Sequence, residues 1–327
     1  MSQIMRRRFG EQILLMLGRE PGKPQEISER ARQIHELKRM TNKADLQEAR
    51  KAQREQKAPS HKWRNRRWIV LALVNLLFVV SYHFDVQILE GALTASRFAG
   101  FHLIDLNSAL QVMLAHKHVI VNLLIGTGTV LVLWALLGGR TFCSWVCPYH
   151  FLSELAEKIH LRLVKMKLVT DQTIDRRLRS LFWLLFAALA LVTGYTVYEA
   201  ISPTGIVSRA LIYGPGLALL WVLALLAFEI FFSRRAWCRY VCPIGLTYGV
   251  VGIISPVRVK YTLEACLHEG DCRKVCLVPH VLDTVIKGRA VDAEVPIGSD
   301  CTRCGLCVDA CPTGSLKFEV KGLSKLL

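Results

Sequence analysis

Long apolar runs separated by charged connections fill the middle of the chain. Four such runs cover residues 68–84, 119–137, 181–198 and 211–232. A helix of about 17–25 apolar residues is long enough to cross a bilayer. The pattern therefore predicts an all-α transmembrane four-helix bundle, within a membrane domain that covers residues 68–254.

Two polar segments flank this region. Residues 1–67 carry 18 Lys and Arg against 8 Asp and Glu, and they show little apolar periodicity, which predicts a basic arm with a solvated helix. Residues 255–327 are too few to fold on an apolar core alone, so bound metal is expected to stabilise them.

The distribution of Lys and Arg predicts the orientation in a membrane. The arm before the first run carries 18 of them and residues 138–180 carry 8, whereas the connection after the first run has only Arg97 and Lys117 and the one after the third only Arg209. Since cytoplasmic loops are enriched in Lys and Arg, both termini are expected in the cytoplasm and the protein in a bacterial inner membrane.

The composition fits the same prediction. Hydrophobic residues make up 52% of the chain, yet the formal net charge is +16. An apolar part in the lipid bilayer and a basic part at its surface account for both values. Because the basic residues flank apolar runs and no nucleic-acid motif is present, no nucleic-acid partner is expected.

The end of the chain carries the most specific motif. Cys301, Cys304, Cys307 and Cys311 are separated by two, two and three residues, and Pro312 follows. This is the spacing of bacterial ferredoxins, in which the fourth cysteine binds a second cluster. It predicts a small α+β bacterial-ferredoxin-like domain with two clusters.

A second cysteine run upstream is incomplete. Cys266, Cys272 and Cys276 fit the ferredoxin spacing, but Glu269 stands where another cysteine is needed. Cross-ligation predicts one [4Fe–4S] cluster on Cys276 together with Cys301, Cys304 and Cys307. The other cluster is then bound by Cys266, Cys272 and Cys311, which leaves one iron without a thiolate. Glu269, His268, Asp271 or water can bind that iron, or it can be lost to give [3Fe–4S].

A further cysteine motif occurs twice in the membrane region. Cys143 and Cys147 precede Pro148, and Cys238 and Cys242 precede Pro243, in register at an offset of 95 residues. The repeat predicts two helical hairpins of one design. Because residues i and i+4 share a helix face, the four thiolates of the two motifs can meet in one site. Such a site can hold an iron–sulfur cluster, copper or two dithiol pairs. The alternative is that the four are free cysteines packed in an apolar core.

Oxidation of a quinol needs a base beside an apolar slot. Glu229 is an ionisable residue about one turn inside the fourth run, which favours a functional role. The predicted outer edge of the membrane offers further candidates, of which His83, Asp85 and Glu199 are preferred over the rest: Glu90, His102, Asp105, His116 and His118.

The two CxxxCP motifs and the double ferredoxin run together resemble the NapH-type membrane iron–sulfur proteins and their relatives NosR and MauN. The likeness covers roughly residues 65–320. Its most telling segments are residues 142–148, 242–245, 248–249 and 279–282. Two departures are the longer arm before residue 60 and Glu269 in place of a cysteine.

The resemblance implies a quinol dehydrogenase subunit that passes electrons to a periplasmic iron–sulfur or cytochrome partner. An alternative is a maturation or regulatory protein such as a copper reductase resembling CcoG, which also combines membrane CxxxCP motifs with ferredoxin cysteines. Cluster reduction by menaquinol distinguishes the first function, and copper-dependent oxidation of the reduced protein the second.

Overall fold

The computed structural model describes residues 3–22, 24, 26–56, 60–85, 89–98, 101–286 and 288–322. The helices are α1 Gln3–Met16, α2 Glu29–Met40, α3 Lys43–Gln56, α4 Lys62–His83, α5 Leu106–His116, α6 Val121–Leu137, α7 Thr141–Trp145, α8 Pro148–Lys165, α9 Arg177–Thr193, α10 Val197–Ile201, α11 Pro203–Tyr213, α12 Ala218–Phe231, α13 Pro243–Ile254, α14 Asp271–Val275 and α15 Leu306–Ala310. A π-helical turn covers Trp237–Val241 and a 3₁₀ turn Pro279–Val281. The strands are β1 Leu89–Ala92, β2 Ala95–Phe98, β3 Phe101–Ile104, β4 Val257–Thr262, β5 Glu294–Pro296 and β6 Leu316–Val320.

The prediction of a four-helix transmembrane bundle is wrong. Among the described helices, only α4, with 22 residues, is long and apolar enough to cross a membrane by length and composition. The second run forms α6 with 17 residues, and the third forms α9, which ends at Gly194. The fourth is split between α11 and α12, a helix of 14 residues.

Local backbone chemistry explains these shorter helices. Gly194 adopts a left-handed conformation with φ 70°, which is a common way to end a helix. Gly214, Pro215 and Gly216 lie between α11 and α12. Proline lacks the backbone donor and glycine favours non-helical φ, so the apolar run changes direction instead of continuing.

A small antiparallel sheet of β1, β2 and β3 was not predicted and lies against α6. The close approach depends on Gly126 of α6, because a Cβ at this position would overlap the backbone carbonyl oxygen of His102 in β3. The sheet thereby closes one end of a cavity that is described below.

The C-terminal part has the α+β character that the ferredoxin spacing predicts. Strand β4 pairs with both β5 and β6 in an antiparallel sheet, with α14 and α15 beside it. The basic arm packs on this part instead of being solvated throughout: Ala31 of α2 is completely buried in its core, and the ring of His35 bonds to the carbonyl of Ala290 at 3.1 Å.

One end of α4 is fixed to the same part of the chain. The Asp309 carboxylate accepts the backbone N–H groups of Trp63 at 2.9 Å and Arg64 at 3.1 Å, and so caps the helix from outside. The Trp63 ring also packs on Phe318 with centroids 4.4 Å apart. Helix α4 therefore starts directly on the ferredoxin-like part.

A buried ionic cluster joins this part to the helices. Asp300 accepts hydrogen bonds from Arg140 at 2.7 Å, from Arg179 at 3.2 Å and from His280 at 2.5 Å. The neighbouring Arg303 donates to the carbonyl oxygens of Gly138 and of other residues around it. These contacts hold the loop that carries Cys301 against the ends of the helices.

Candidate iron–sulfur sites and an adjoining cavity

Four cysteines of the ferredoxin-like part surround one small enclosed cavity. They are the four to which cross-ligation assigns the complete cluster: Cys276, Cys301, Cys304 and Cys307. All four are at least 91% buried, and the rest of the wall is mostly apolar, with Val259, Val278 and Leu282 among its residues. A buried set of soft thiolates in an apolar wall suits iron–sulfur chemistry.

A second cavity of about 200 Å³ lies beside the incomplete run. Its lining includes Cys266, Cys272 and Cys311, together with the three side chains proposed for the last iron: His268, Glu269 and Asp271. The structure thus brings Glu269 to the same cavity as the three thiols. Cys272 lies close enough to Cys276 and Cys307 for their charged forms to interact, so the two cavities are adjacent.

The basic arm supports the loop beside this second cavity. Lys38 of α2 donates to the carbonyl of Cys266 at 2.5 Å, and Arg50 of α3 donates to that of Leu267 at 2.7 Å and that of His268 at 3.3 Å. These bonds fix the backbone on both sides of Leu267. The arm thereby orients the residues that line the cavity.

The two CxxxCP motifs converge. Cys143 and Cys238 each lie close enough to Cys147 and Cys242 for their charged forms to interact, so the four thiols share one neighbourhood. Hydroxyl groups lie beside two of them: Thr204 at 3.2 Å from Cys147 Sγ and Tyr198 at 3.4 Å from Cys242 Sγ.

Each motif places one thiol at the start of a new helix. Cys147 precedes α8 and Cys242 precedes α13, and in both cases proline is the first helical residue. Backbone N–H groups at these helix starts, such as those of His150 and Gly245, bond to the two sulfurs. Helix N-termini favour negative charge and therefore thiolates.

The arginine that opens each motif lies beside its own cysteine. Arg140 bonds to Cys143 and also attracts Cys242, while Arg235 attracts Cys238. Both arginines, taken as whole residues, are at least 96% buried. A cubane cluster with four thiolates keeps a net negative charge, so two buried arginines match this site electrostatically.

Without metal, burial makes the charged form of these thiols costly. Burial raises the pKa of Cys143 to about 12 and that of Cys147 to about 11, and raises that of Cys272 to about 12. Bound iron reverses this cost because it replaces the proton on sulfur. No three of the His, Cys, Asp and Glu side chains in the described ranges are placed to ligate a single metal ion, whereas in a cubane each thiolate binds a different iron.

The CxxxCP site and the first ferredoxin site are in direct contact. Ser144 Oγ donates to the carbonyl of Thr302 at 2.7 Å, and Trp145 Nε1 donates to that of Arg303 at 3.1 Å. These donors follow Cys143 in the chain, and their acceptors lie between Cys301 and Cys304. The first ferredoxin site therefore adjoins both the CxxxCP site and the second ferredoxin site.

The four residues preferred as quinol bases lie in different places. Glu229 is fully buried near Cys238 and accepts hydrogen bonds from Ser153 Oγ at 2.6 Å and from the Trp237 N–H at 3.1 Å. His83 and Asp85 are exposed at the end of α4, and Glu199 accepts a hydrogen bond from Ser108.

A cavity of about 610 Å³ adjoins the CxxxCP site, and none of these four residues lines it. Its wall includes Phe142 and Trp145, which flank Cys143 in the chain, and its polar groups include Asp105 and Tyr248. Asp105 appears in the sequence only as one of many residues near an expected membrane edge. Its position is set by β3 and α5, which the apolar pattern does not predict.

Comparison with known families identifies iron–sulfur segments in both parts of the chain. A family described as "4Fe-4S binding domain" matches residues 119–167 and 215–260, which contain the two CxxxCP motifs. A second family with the same description matches residues 295–317, which contain the last ferredoxin run. Both parts are thus similar to segments that bind 4Fe–4S clusters.

Similarity to whole proteins extends over most of the chain. The ferredoxin-type protein NapH of Escherichia coli is 33% identical over 76% of this chain and 88% of its own length. The methylamine utilization ferredoxin-type protein MauN of Paracoccus denitrificans is 36% identical over 65% and 75%, respectively. The putative electron transport protein YccM of Escherichia coli is 29% identical over 79% and 75%.

No solved structure matches the chain significantly. These three relatives align with the chain over 75–88% of their own length. The chain therefore belongs to the family of ferredoxin-type iron–sulfur electron-transfer proteins that includes NapH and MauN.

Proposed function

We propose that this protein oxidises membrane quinol and passes the electrons through three iron–sulfur sites to a partner redox protein. The observation that carries the proposal is the row of sites: a large apolar cavity, the CxxxCP thiols, the first ferredoxin cavity and the second. Each neighbours the next, as stepwise transfer of single electrons requires.

Iron–sulfur clusters, when bound, supply reversible one-electron storage at each site. Cys276, Cys301, Cys304 and Cys307 would hold one cluster, and Cys266, Cys272 and Cys311 with Glu269 the next. The four CxxxCP thiols would hold a third, since a 4Fe–4S family covers both motifs. Arg140 and Arg235 would compensate the negative charge of that site.

Membrane association is part of the same proposal. Large apolar side chains are exposed along several helices, among them Leu73 and Leu77 of α4, Leu136 of α6 and Leu184 of α9, each at 58–60%. Extended apolar surfaces of this kind mark contact with lipid or with another protein. Helix α4 would insert into the bilayer, and the basic arm and the ferredoxin-like part, which pack on each other, would lie together on the cytoplasmic side, as the Lys and Arg counts predict.

The proposed acceptor is an iron–sulfur or cytochrome subunit. The sequence resemblance implies that it is periplasmic, and since the ferredoxin-like part would lie on the cytoplasmic side, a partner subunit would carry the electrons across the membrane. The second ferredoxin site is suited to deliver electrons, because Cys266 and Cys272 are only partly buried. Electrons would leave from the end of the row that is opposite to the large cavity.

Anaerobic titration of the oxidised, iron-loaded protein with menaquinol tests this function. We expect the visible iron–sulfur absorption to bleach and reduced-cluster EPR signals to appear. If menaquinol does not reduce the clusters of a protein that dithionite reduces fully, quinol oxidation is contradicted. Rapid reoxidation of reduced protein by Cu²⁺ but not by oxidised redox proteins would instead favour the copper reductase.

A further inference from the structure

The large cavity has the dimensions and chemistry of a site for a quinol headgroup. Its volume of about 610 Å³ falls in the range of roughly 300–1,000 Å³ that is typical of small-molecule sites. The walls come from Val70, Val74 and Phe78 of α4, from Val130 and other residues of α6, and from the β1–β3 sheet. An apolar slot between helices with exposed outer faces gives a lipid-soluble molecule a path of entry.

Asp105 and Tyr248 are, with Ser96 and Thr141, polar residues in the lining of this apolar slot. Asp105 is 95% buried, and its Oδ2 accepts the N–H groups of Asn107 at 3.0 Å and Ser108 at 3.3 Å as the cap of α5. Its other oxygen, Oδ1, takes no part in the cap, and the Tyr248 hydroxyl lies close enough to the carboxylate to act as a hydrogen-bond donor. The Tyr248 side chain faces the same carboxylate and lies near Cys143.

We propose that this cavity binds the quinol headgroup, with Asp105 Oδ1 as the base that accepts its protons and Tyr248 beside it. This inference rests on the proposed function and assigns its substrate site. Each carboxylate oxygen can accept two hydrogen bonds, so a quinol hydroxyl in the cavity can donate to Asp105 beside Tyr248. The ring would lie beside Phe142 and Trp145, which flank Cys143 in the chain.

The described side chains also provide a route for the protons. Ser108 Oγ lies 3.5 Å from Asp105 Oδ2 and donates to Glu199. Glu199 is partly exposed, and Arg209 attracts it electrostatically. A proton taken up by Asp105 can thus pass through Ser108 to Glu199 and then to solvent.

The overall reaction balances. Both O–H bonds of the quinol break and a quinone forms, with the loss of two electrons and two protons. The electrons leave singly to the CxxxCP site and then to the partner redox protein, which is the final oxidant. The protons leave through Asp105, which must pass on the first before it accepts the second.

Cavity filling tests where quinol binds. Val130 lines the cavity, whereas Val132, two residues further along α6, does not line it and is 56% exposed. We expect Val130→Phe to weaken binding of a short-tailed naphthoquinone about tenfold or more, and Val132→Phe to leave it unchanged. Binding is measured by saturable quenching of tryptophan fluorescence, since Trp134 and Trp145 line the site.

A second variant tests the base separately from the binding. Asp105→Asn keeps an oxygen for the cap of α5, because asparagine caps helices about as well as aspartate. We expect naphthoquinone binding within a fewfold of wild type and menaquinol-driven reduction slowed about 100-fold or more, as for loss of a general base. Iron content and dithionite reduction serve as folding controls.

The possible failures are distinguishable. If the wild type binds no naphthoquinone and menaquinol does not reduce it, the proposed function itself fails. If menaquinol reduces the wild type and Val130→Phe equally well, with equal naphthoquinone binding, quinol binds elsewhere and only this assignment is wrong. Full-rate reduction of Asp105→Asn would refute the role of Asp105 as the base.

Discussion

At the scale of single residues, Asp300 has a structural role that the ferredoxin spacing does not reveal. It lies next to Cys301 and pairs with Arg140 and Arg179, which come from the helical part of the chain. The pKa of Asp300 lies well below its usual range, since these two guanidinium groups and His280 outweigh the cost of burial. The carboxylate therefore stays charged and holds both arginines.

Asp300→Asn is expected to destabilise the protein by about 3–5 kcal/mol, because buried arginines would lose their counter-charge. The midpoint of thermal unfolding should fall by several degrees. The control is Glu294→Gln, which removes the 2.6 Å ion pair between Lys260 and Glu294, whose side chain is 59% exposed. Loss of this exposed pair is expected to lower the free energy of unfolding by less than about 1 kcal/mol. Equal effects of the two variants would show that Asp300 does not connect the two parts.

Glu269 is the second residue with a distinct expected behaviour. It lines the cavity of Cys266, Cys272 and Cys311, and a hard carboxylate binds cluster iron less well than a soft thiolate. Oxidation of the wild type should therefore release one iron from this site and give a [3Fe–4S]⁺ EPR signal. The cluster on Cys276 should be unaffected.

Glu269→Cys restores the ferredoxin spacing and should convert that signal to one from an oxidation-resistant [4Fe–4S] cluster. Glu264→Cys is the matched control, since Glu264 is 69% exposed and does not line the cavity. Its EPR spectrum should equal that of the wild type. Two oxidation-resistant [4Fe–4S] clusters in the wild-type ferredoxin-like part would contradict a labile iron at Glu269.

The sequence predicts the cysteine ligands of the tail but not every residue that lines the cavities. Ferredoxin spacing is local and strict, so it grouped the seven cysteines of the tail into the same two sets that line the two cavities. The resemblance to NapH and MauN is confirmed by whole-chain similarity. Asp105 could not be singled out, because its importance depends on contacts with residues far away in the chain.

At the scale of elements, the apolar runs located the helices but not their lengths. Hydropathy alone does not reveal left-handed glycines or a Gly–Pro–Gly turn. Residues 211–232 were therefore predicted as one helix, whereas in the structure they are divided between α11 and α12. The β1–β3 sheet was missed because its strands have only four residues each. That sheet is one wall of the proposed quinol site.

Gly126 is the residue on which the contact between this sheet and α6 depends. Gly126→Ala should displace β3, lower the thermal stability and weaken naphthoquinone binding, although alanine by itself favours a helix by about 1 kcal/mol. Gly128→Ala is the control, since a Cβ there has no neighbour within 4 Å. We expect Gly128→Ala to be neutral or slightly stabilising. A Gly126→Ala protein with wild-type stability and binding would contradict the role of this contact.

At the scale of the whole molecule, the fold brings distant segments together into one row of sites. The cavity is built by α4, α6 and the β1–β3 sheet, the CxxxCP motifs follow α6 and α12, and the ferredoxin-like part contacts the first motif through Ser144 and Trp145. The basic arm supports the far end of the row. With quinol as the proposed donor in the cavity, the ferredoxin-like part is the proposed exit for electrons.

The most direct test of this account is rapid-freeze EPR of the ferredoxin-like clusters after mixing with menaquinol, in the wild type and in Cys143→Ser, Cys238→Ser and the double variant. We expect menaquinol to reduce these clusters in the wild type and in none of the variants, while dithionite reduces them in all four proteins. The double variant should be no worse than either single one, as for residues of one site. Menaquinol reduction at the wild-type rate in the double variant would contradict a route through the CxxxCP site.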